Sequence, residues 1–163
     1  PVSFADRAVD VIVNRKTKVP NWYLDVSMLT QYWAGKKRVY HHTAPVNMLY
    51  ALYQSLFLIE QEGLETVFER HMRNHKKLVA GLEGLGMEML VEPEYRLPML
   101  NSVRIPEGAD DADVRGKLRQ EYKIEIGPGL GPLAGKIWRF GLMGHTAREE
   151  NVERVLQALK EIL

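Results

Sequence analysis

From Val39 to Ile59 the chain carries no Asp, Glu, Lys or Arg. Between Pro45 and Ile59 apolar residues fall on nearly every face of a helical projection, so the expected helix must be covered by protein on most sides. One small domain rarely supplies that much cover. Burial between domains or against a second subunit is the expected arrangement. Two histidines, a threonine, a proline, an asparagine, a glutamine and a serine interrupt the run, which excludes a membrane span. Gly63 is placed to end the helix, since glycine adopts the left-handed conformation common just past a helix C-terminus.

The run opens with Tyr40-His41-His42-Thr43-Ala44-Pro45, four hydrogen-bonding side chains directly ahead of a helix-starting proline. Proline fits the first helical position because its missing N–H would have no partner there. The remaining first-turn amides point forward unpaired, and a phosphate or carboxylate is favoured at such an end by those donors and by the helix dipole. Spacing alone also allows a plainer role, in which Thr43 caps the helix and the histidines satisfy local carbonyls.

Elsewhere the pattern predicts a helix over 4–14, a polar loop over 15–21, a short helix over 25–33 and a basic turn at Gly35-Lys36-Lys37-Arg38. After Gly63, Leu64, Val67, Phe68, Met72, Leu78, Val79, Leu82 and Leu85 mark one stripe of a further amphipathic helix. Beyond Gly86, strands are expected at 87–91, 100–105, 124–126 and 137–143, with a helix over 110–122. A final helix is expected to start at the capping box Thr146-Ala147-Arg148-Glu149. Helices on one face of a small, largely antiparallel sheet make an α+β sandwich.

Composition narrows the partners. With 22 basic and 21 acidic side chains, the net charge of +1 gives no general attraction to nucleic acid or an anionic membrane. A small molecule is the better expectation. Without cysteine there is no disulfide framework, thiolate nucleophile or Cys-type zinc site. The chain opens Pro1-Val2-Ser3-Phe4 without a methionine and reads as a truncated piece.

Arg139 is the other candidate site residue. Alternation along its strand puts Trp138, Phe140 and Leu142 on the core face and Arg139 on the opposite face beside Gly141, where a small molecule could approach. A guanidinium there can hold a carboxylate through two charge-assisted hydrogen bonds worth roughly 1.5–3 kcal/mol each. The glycine-rich run 127–135 is not a phosphate loop, since a strand rather than Ser/Thr and a helix follows Lys136. It reads instead as a flexible connection near the substrate mouth. His71 and His75 lie one helical turn apart but lack a third ligand, so they are expected to be an exposed pair and not a metal site.

Read with its flanks Asn21-Trp22-Tyr23-Leu24-Asp25 and Met48-Leu49-Tyr50-Ala51-Leu52, and with the segment from Gly129 to Gly144, the hexapeptide resembles the alanine/serine–glyoxylate aminotransferases. These are class V, pyridoxal-phosphate-dependent enzymes, and the resemblance runs in order over essentially all of the chain. It implies the C-terminal part of a fold-type I transferase: 1–44 as the end of the large cofactor-binding domain, 45–66 as an interdomain helix and 67–163 as the small α+β domain. It further implies pyridoxal 5'-phosphate as cofactor, with Tyr40 and Thr43 on its phosphate across a homodimer interface, and Arg139 on the substrate carboxylate. The Schiff-base lysine falls upstream of Pro1, so no catalytic residue is expected in this chain and the piece alone should not transaminate. Substrates implied are a small amino acid, alanine or serine, and a 2-oxo acid, glyoxylate, in a cytoplasmic enzyme (peroxisomal or mitochondrial in a eukaryote). Two alternatives stay open: another class V enzyme such as a ureidoglycine–glyoxylate aminotransferase, and a non-catalytic dimerisation module.

Overall fold

The computed structural model describes residues 2–33, 37 and 39–163. The expected basic turn at 35–38, apart from Lys37, lies outside the described residues, as does Pro1. The chain divides into two compact units, Pro1–Ser55 and Leu56–Leu163.

The first unit holds α1 (Asp6–Val13), α2 (Val26–Trp33) and the start of α3 (Val46–Glu62), with a turn of 3-10 helix at Trp22–Leu24. Asp25 starts α2 by accepting from both the amide and the hydroxyl of Ser27, at 3.0 and 2.6 Å. The Ser27 hydroxyl, opposed by desolvation, holds the Asp25 carboxyl below its ordinary value. No residue of α1, α2 or α3 is buried. Met48, Tyr50 and Tyr53 are each about 70% exposed, so the described residues do not provide the cover that the uncharged helix calls for.

The second unit begins within α3, which runs to Glu62. Gly63, at φ 85°, then separates it from α4 (Leu64–Gly84). Next come β1 (Leu100–Arg104), α5 (Asp111–Gln120), β2 (Gly127–Pro128), β3 (Ile137–Gly141) and α6 (Glu149–Ile162). The sheet has the order β1-β3-β2, antiparallel throughout, with Ser102 and Gly127 flanking Arg139 on either side. Leu78 and Leu82 of α4, Val103 of β1, Val114 and Leu118 of α5, Trp138 and Phe140 of β3, and Val152 and Leu159 of α6 form one core. This is the expected α+β arrangement. Gly81 sets the α4–α6 approach, because a Cβ there would come within 2.2 Å of Leu156. The stripe predicted for α4 is buried only in its C-terminal half: Leu78, Val79 and Leu82 are covered, whereas Leu64, Phe68 and Met72 are exposed.

Several expectations are corrected. Residues 87–91 form no strand but a single bridge, Met89 to Val103, because the ladder closes only through Leu90 to Ser102 and Arg104 to Glu88. The strand expected at 124–126 lies one step later, at Gly127–Pro128. Before it, Lys123 takes φ 57° and the Ile124 amide turns back to the Leu118 carbonyl, so the segment leaves the ladder. The strand expected over 137–143 ends at Gly141, where Leu142 pairs instead with Met99. Thr146 does not cap α6. Its hydroxyl accepts from the Met143 amide and reaches the Gly141 and Met143 carbonyls, closing the 3-10 turn at Gly144–Thr146.

The histidines of α4 are not an exposed pair. His75 is buried with Nδ1 2.6 Å from Asn101 Oδ1. His71 bonds the Val67 carbonyl through Nδ1 and accepts the Gly144 amide at Nε2. That pattern makes His71 a neutral imidazole with its proton on Nδ1. Both ring nitrogens of His71 are therefore engaged, so it has none to share with His75 on a metal, and no metal-binding group is found among the described residues. The segment 127–135 is structured rather than flexible. It pairs with β3, closes a 3-10 turn at Gly131–Leu133 and bonds Gly129 to Ile137.

Candidate functional site

In the hexapeptide the hydroxyls of Tyr40 and Thr43 lie 2.7 Å apart and both residues are exposed. Thr43 therefore does not cap α3 through its hydroxyl. The Val46 amide turns back to the Ala44 carbonyl, and Leu49 is the first residue bonded to Pro45. The amides of Asn47 and Met48 are left without a partner among the described residues. A helix of 17 residues thus opens with two free N–H donors just past a pair of hydroxyls. This is donor chemistry suited to a phosphate.

Behind these hydroxyls lies an aromatic cluster that sequence reasoning missed. Asn21 accepts from the Tyr23 amide and so holds the Trp22–Leu24 turn. Trp22 stacks on His41 with centroids 4.2 Å apart and planes 10° from parallel. Tyr23 and Tyr32 contact His42, at 4.8 and 5.8 Å, and Tyr32 also meets Tyr40 edge-on at 6.0 Å. The sequence signal was the motif Asn21-Trp22-Tyr23, which supplied a resemblance but no spacing that ties it to His41.

Arg139 belongs to the second unit. Its aliphatic stem is held on the face opposite Trp138 and Phe140, which are 0% and 4% exposed, as strand alternation requires. Nε donates to the Pro128 carbonyl at 2.8 Å. The guanidinium lies flat across Gly127, where a Cβ would come within 3.3 Å of Nη2. Among the described residues no carboxylate lies within ion-pair distance of it. One edge of the fork is thus anchored, and the remaining N–H groups have the geometry to bind a carboxylate. The Pro128 anchor could not be read from the sequence, because it depends on the β2–β3 register, which sets Gly127 opposite Arg139.

A scan against family profiles finds no match. The alanine–glyoxylate aminotransferase of Felis catus is 44% identical over 165 residues, covering 99% of this chain and 40% of that protein. The (S)-ureidoglycine–glyoxylate transaminase of Bacillus subtilis is 38% identical over 181 residues, covering 100% of the chain and 43% of that protein. Among solved structures, an alanine–glyoxylate aminotransferase from Nostoc sp. superposes with a TM-score of 0.90 at 49% identity, over 98% of this chain and 42% of that one. The ureidoglycine–glyoxylate aminotransferase of B. subtilis gives 0.91 at 41% identity, over 99% and 41%. The chain spans about two fifths of the length of the curated relatives it matches. Matched along its whole length to the C-terminal part of these enzymes, it belongs to the class V aminotransferase family.

Proposed function

We propose that the chain serves as the C-terminal portion of a pyridoxal-phosphate-dependent aminotransferase that moves an amino group from alanine or serine to glyoxylate. The observation that carries this is the half-buried Arg139 fork, anchored at Nε by Pro128 and without a carboxylate partner among the described residues. A substrate carboxylate of an amino or 2-oxo acid matches that fork in charge and geometry.

The hexapeptide fits the cofactor's phosphate in donor type: two hydroxyls and two free amides, with no carboxylate among them. Tyr40 and Thr43 would hold the phosphate of a neighbouring subunit's cofactor, and Arg139 would fix the angle at which substrate is presented. When bound, the cofactor supplies the electron sink for the amino transfer. Misplacement of a reacting group by about 1 Å costs on the order of a hundredfold in rate, so the rigid seat of Arg139 on Pro128 and Gly127 is a catalytic asset.

In this reading 1–44 ends the larger domain, 45–66 is the connecting segment, made of α3 and the break at Gly63, and 67–163 is the small domain. The exposed Met48, Tyr50 and Tyr53 are covered by polypeptide outside the chain in a homodimer. The reading includes a cytoplasmic location (peroxisomal or mitochondrial in a eukaryote); among the described residues no helix is long and apolar enough to cross a membrane. The test is to purify the complete enzyme, record its cofactor absorbance, and assay alanine, serine and ureidoglycine as donors to glyoxylate. Turnover with alanine or serine is expected. Turnover with ureidoglycine alone reassigns the donor, and the absence of both cofactor and turnover leaves a dimerisation module.

A further inference from the structure

His41 is the one buried side chain among the described residues of the first unit, at 7% exposure, and its Nε2 has no hydrogen-bond partner. Its Nδ1 lies 2.8 Å from Nδ1 of His42, with the two rings nearly perpendicular at 86°. Two ring nitrogens at that distance share a single proton, so one imidazole donates and the other accepts.

The orphaned nitrogen decides which. Were His42 the donor, a neutral His41 would carry its own proton on Nε2, leaving an N–H with no acceptor beneath the Trp22 stack. Were His41 charged, an unpaired cation would be buried there, which is costlier still. Unmatched buried N–H groups are rarer than under-used acceptors. His41 therefore holds its proton on Nδ1 and donates it to His42, while its Nε2 stays a bare lone pair. His42, accepting at Nδ1, must carry its own proton on Nε2.

We infer that His42 is the phosphate-facing histidine of the loop, a neutral Nε2–H donor beside Tyr40 and Thr43, and that His41 is the positioning residue that sets its tautomer. This rests on the phosphate site proposed above. His42 is only partly buried, and no described residue engages its Nε2. Tyr23 and Tyr32 flank its ring and limit how it can turn. The Asn21-Trp22-Tyr23 turn gains a purpose here, because Trp22 clamps His41 and Tyr23 steers His42.

The probe is inorganic phosphate, titrated calorimetrically into the complete enzyme stripped of cofactor. His42→Gln carries an amide nitrogen near the ε position and is expected to keep affinity within about threefold, whereas His42→Asn, whose amide stops at the δ position, should lose about tenfold. Thr43→Ala serves as the reference for the site itself. If Thr43→Ala weakens phosphate binding and His42→Asn does not, the inference is overturned and the phosphate site stands. If neither variant matters, the phosphate site falls and the inference with it. Neutron diffraction of the unmodified enzyme needs no variant to fold: deuterium on His41 Nδ1 and His42 Nε2 is expected, and deuterium on His41 Nε2 refutes the tautomer assignment.

Discussion

The indole nitrogen of Trp138 donates to Asp111 Oδ1 at 2.9 Å, joining the residue that precedes Arg139 to the first turn of α5. The same carboxylate is gripped by Arg115 through two bonds of 2.8 and 2.9 Å. Trp138 is fully buried, so this contact ties β3 to α5 alongside the shared core, with Arg139 on the opposite face of the strand. Removing it should be felt in stability first. Asp111→Ala strands a tryptophan N–H and is expected to destabilise the fold by about 1–3 kcal/mol. Asp111→Asn keeps an acceptor for the indole and should cost less. Urea unfolding of the two variants in the complete protein measures the difference, and equal losses would mean the indole bond contributes little.

The same pair predicts an acid dependence. Arg115 first, then Trp138, hold the Asp111 carboxyl below the usual carboxylate range, against the opposing effect of desolvation. A lowered folded-state value means that the folded protein binds this proton less readily than the unfolded chain. The contribution is therefore fully present above the unfolded value of about 4 and is lost as pH falls through the depressed folded value. The midpoint of urea unfolding should drop on acidification below about pH 4, and Asp111→Asn should flatten that limb. An unchanged acid limb in the variant would assign the loss to other carboxylates, such as Glu62 held low by Arg70.

How much of this was legible beforehand depends on the range of the interaction. The core face of β3, Trp138 with Phe140 and Leu142, follows from period-two alternation and is found as expected. The uncharged α3 and the break at Gly63 were likewise written in local composition and backbone preference. What escaped was set by partners distant in sequence. Residues 124–126 look like a strand, but Lys123 and the Ile124 to Leu118 bond redirect them. Thr146-Ala147-Arg148-Glu149 has the letters of a capping box, yet α4 claims the segment first: Arg70 bonds the Gly144 and Ala147 carbonyls, and Asn74 also bonds Ala147. His71 and His75 looked like surface residues because Gly144 and Asn101 are far off in the chain.

Two glycines in one loop should respond differently to the same change. A Cβ on Gly127 would sit 3.3 Å from Nη2 and 3.4 Å from Nε of Arg139, so Gly127→Ala is expected to displace the guanidinium by a few tenths of an ångström without a backbone clash. Raised KM for amino and oxo acid substrates is expected, with unfolding shifted by less than about 1 kcal/mol. A Cβ on Gly129 would fall 1.9 Å from the Leu133 carbonyl oxygen, a clash with backbone that no side chain can relieve. Gly129→Ala should therefore cost stability outright, of order 1–3 kcal/mol as in other overpacked sites. Comparing KM and denaturation midpoints of both variants separates the two effects, and a Gly127→Ala enzyme with unaltered KM would detach the Gly127 contact from substrate binding.

Arg139 itself offers the sharpest distinction, because its two ends do different things. Nε is committed to Pro128, and the remaining fork is what substrate would meet. Arg139→Ala removes both and is expected to raise KM for the amino donor and for the oxo acid alike, by at least about tenfold, given that charged hydrogen bonds contribute roughly 1.5–3 kcal/mol each. Arg139→Lys keeps the charge but has no planar fork, so it cannot bond Pro128 and clasp a carboxylate side by side. Lysine should thus recover only part of the loss. Steady-state kinetics with both substrates, together with inhibition by a simple dicarboxylate, will resolve the three enzymes. Full rescue by lysine would mean that position 139 supplies charge alone, and the Pro128 anchor would then have no part in orienting substrate.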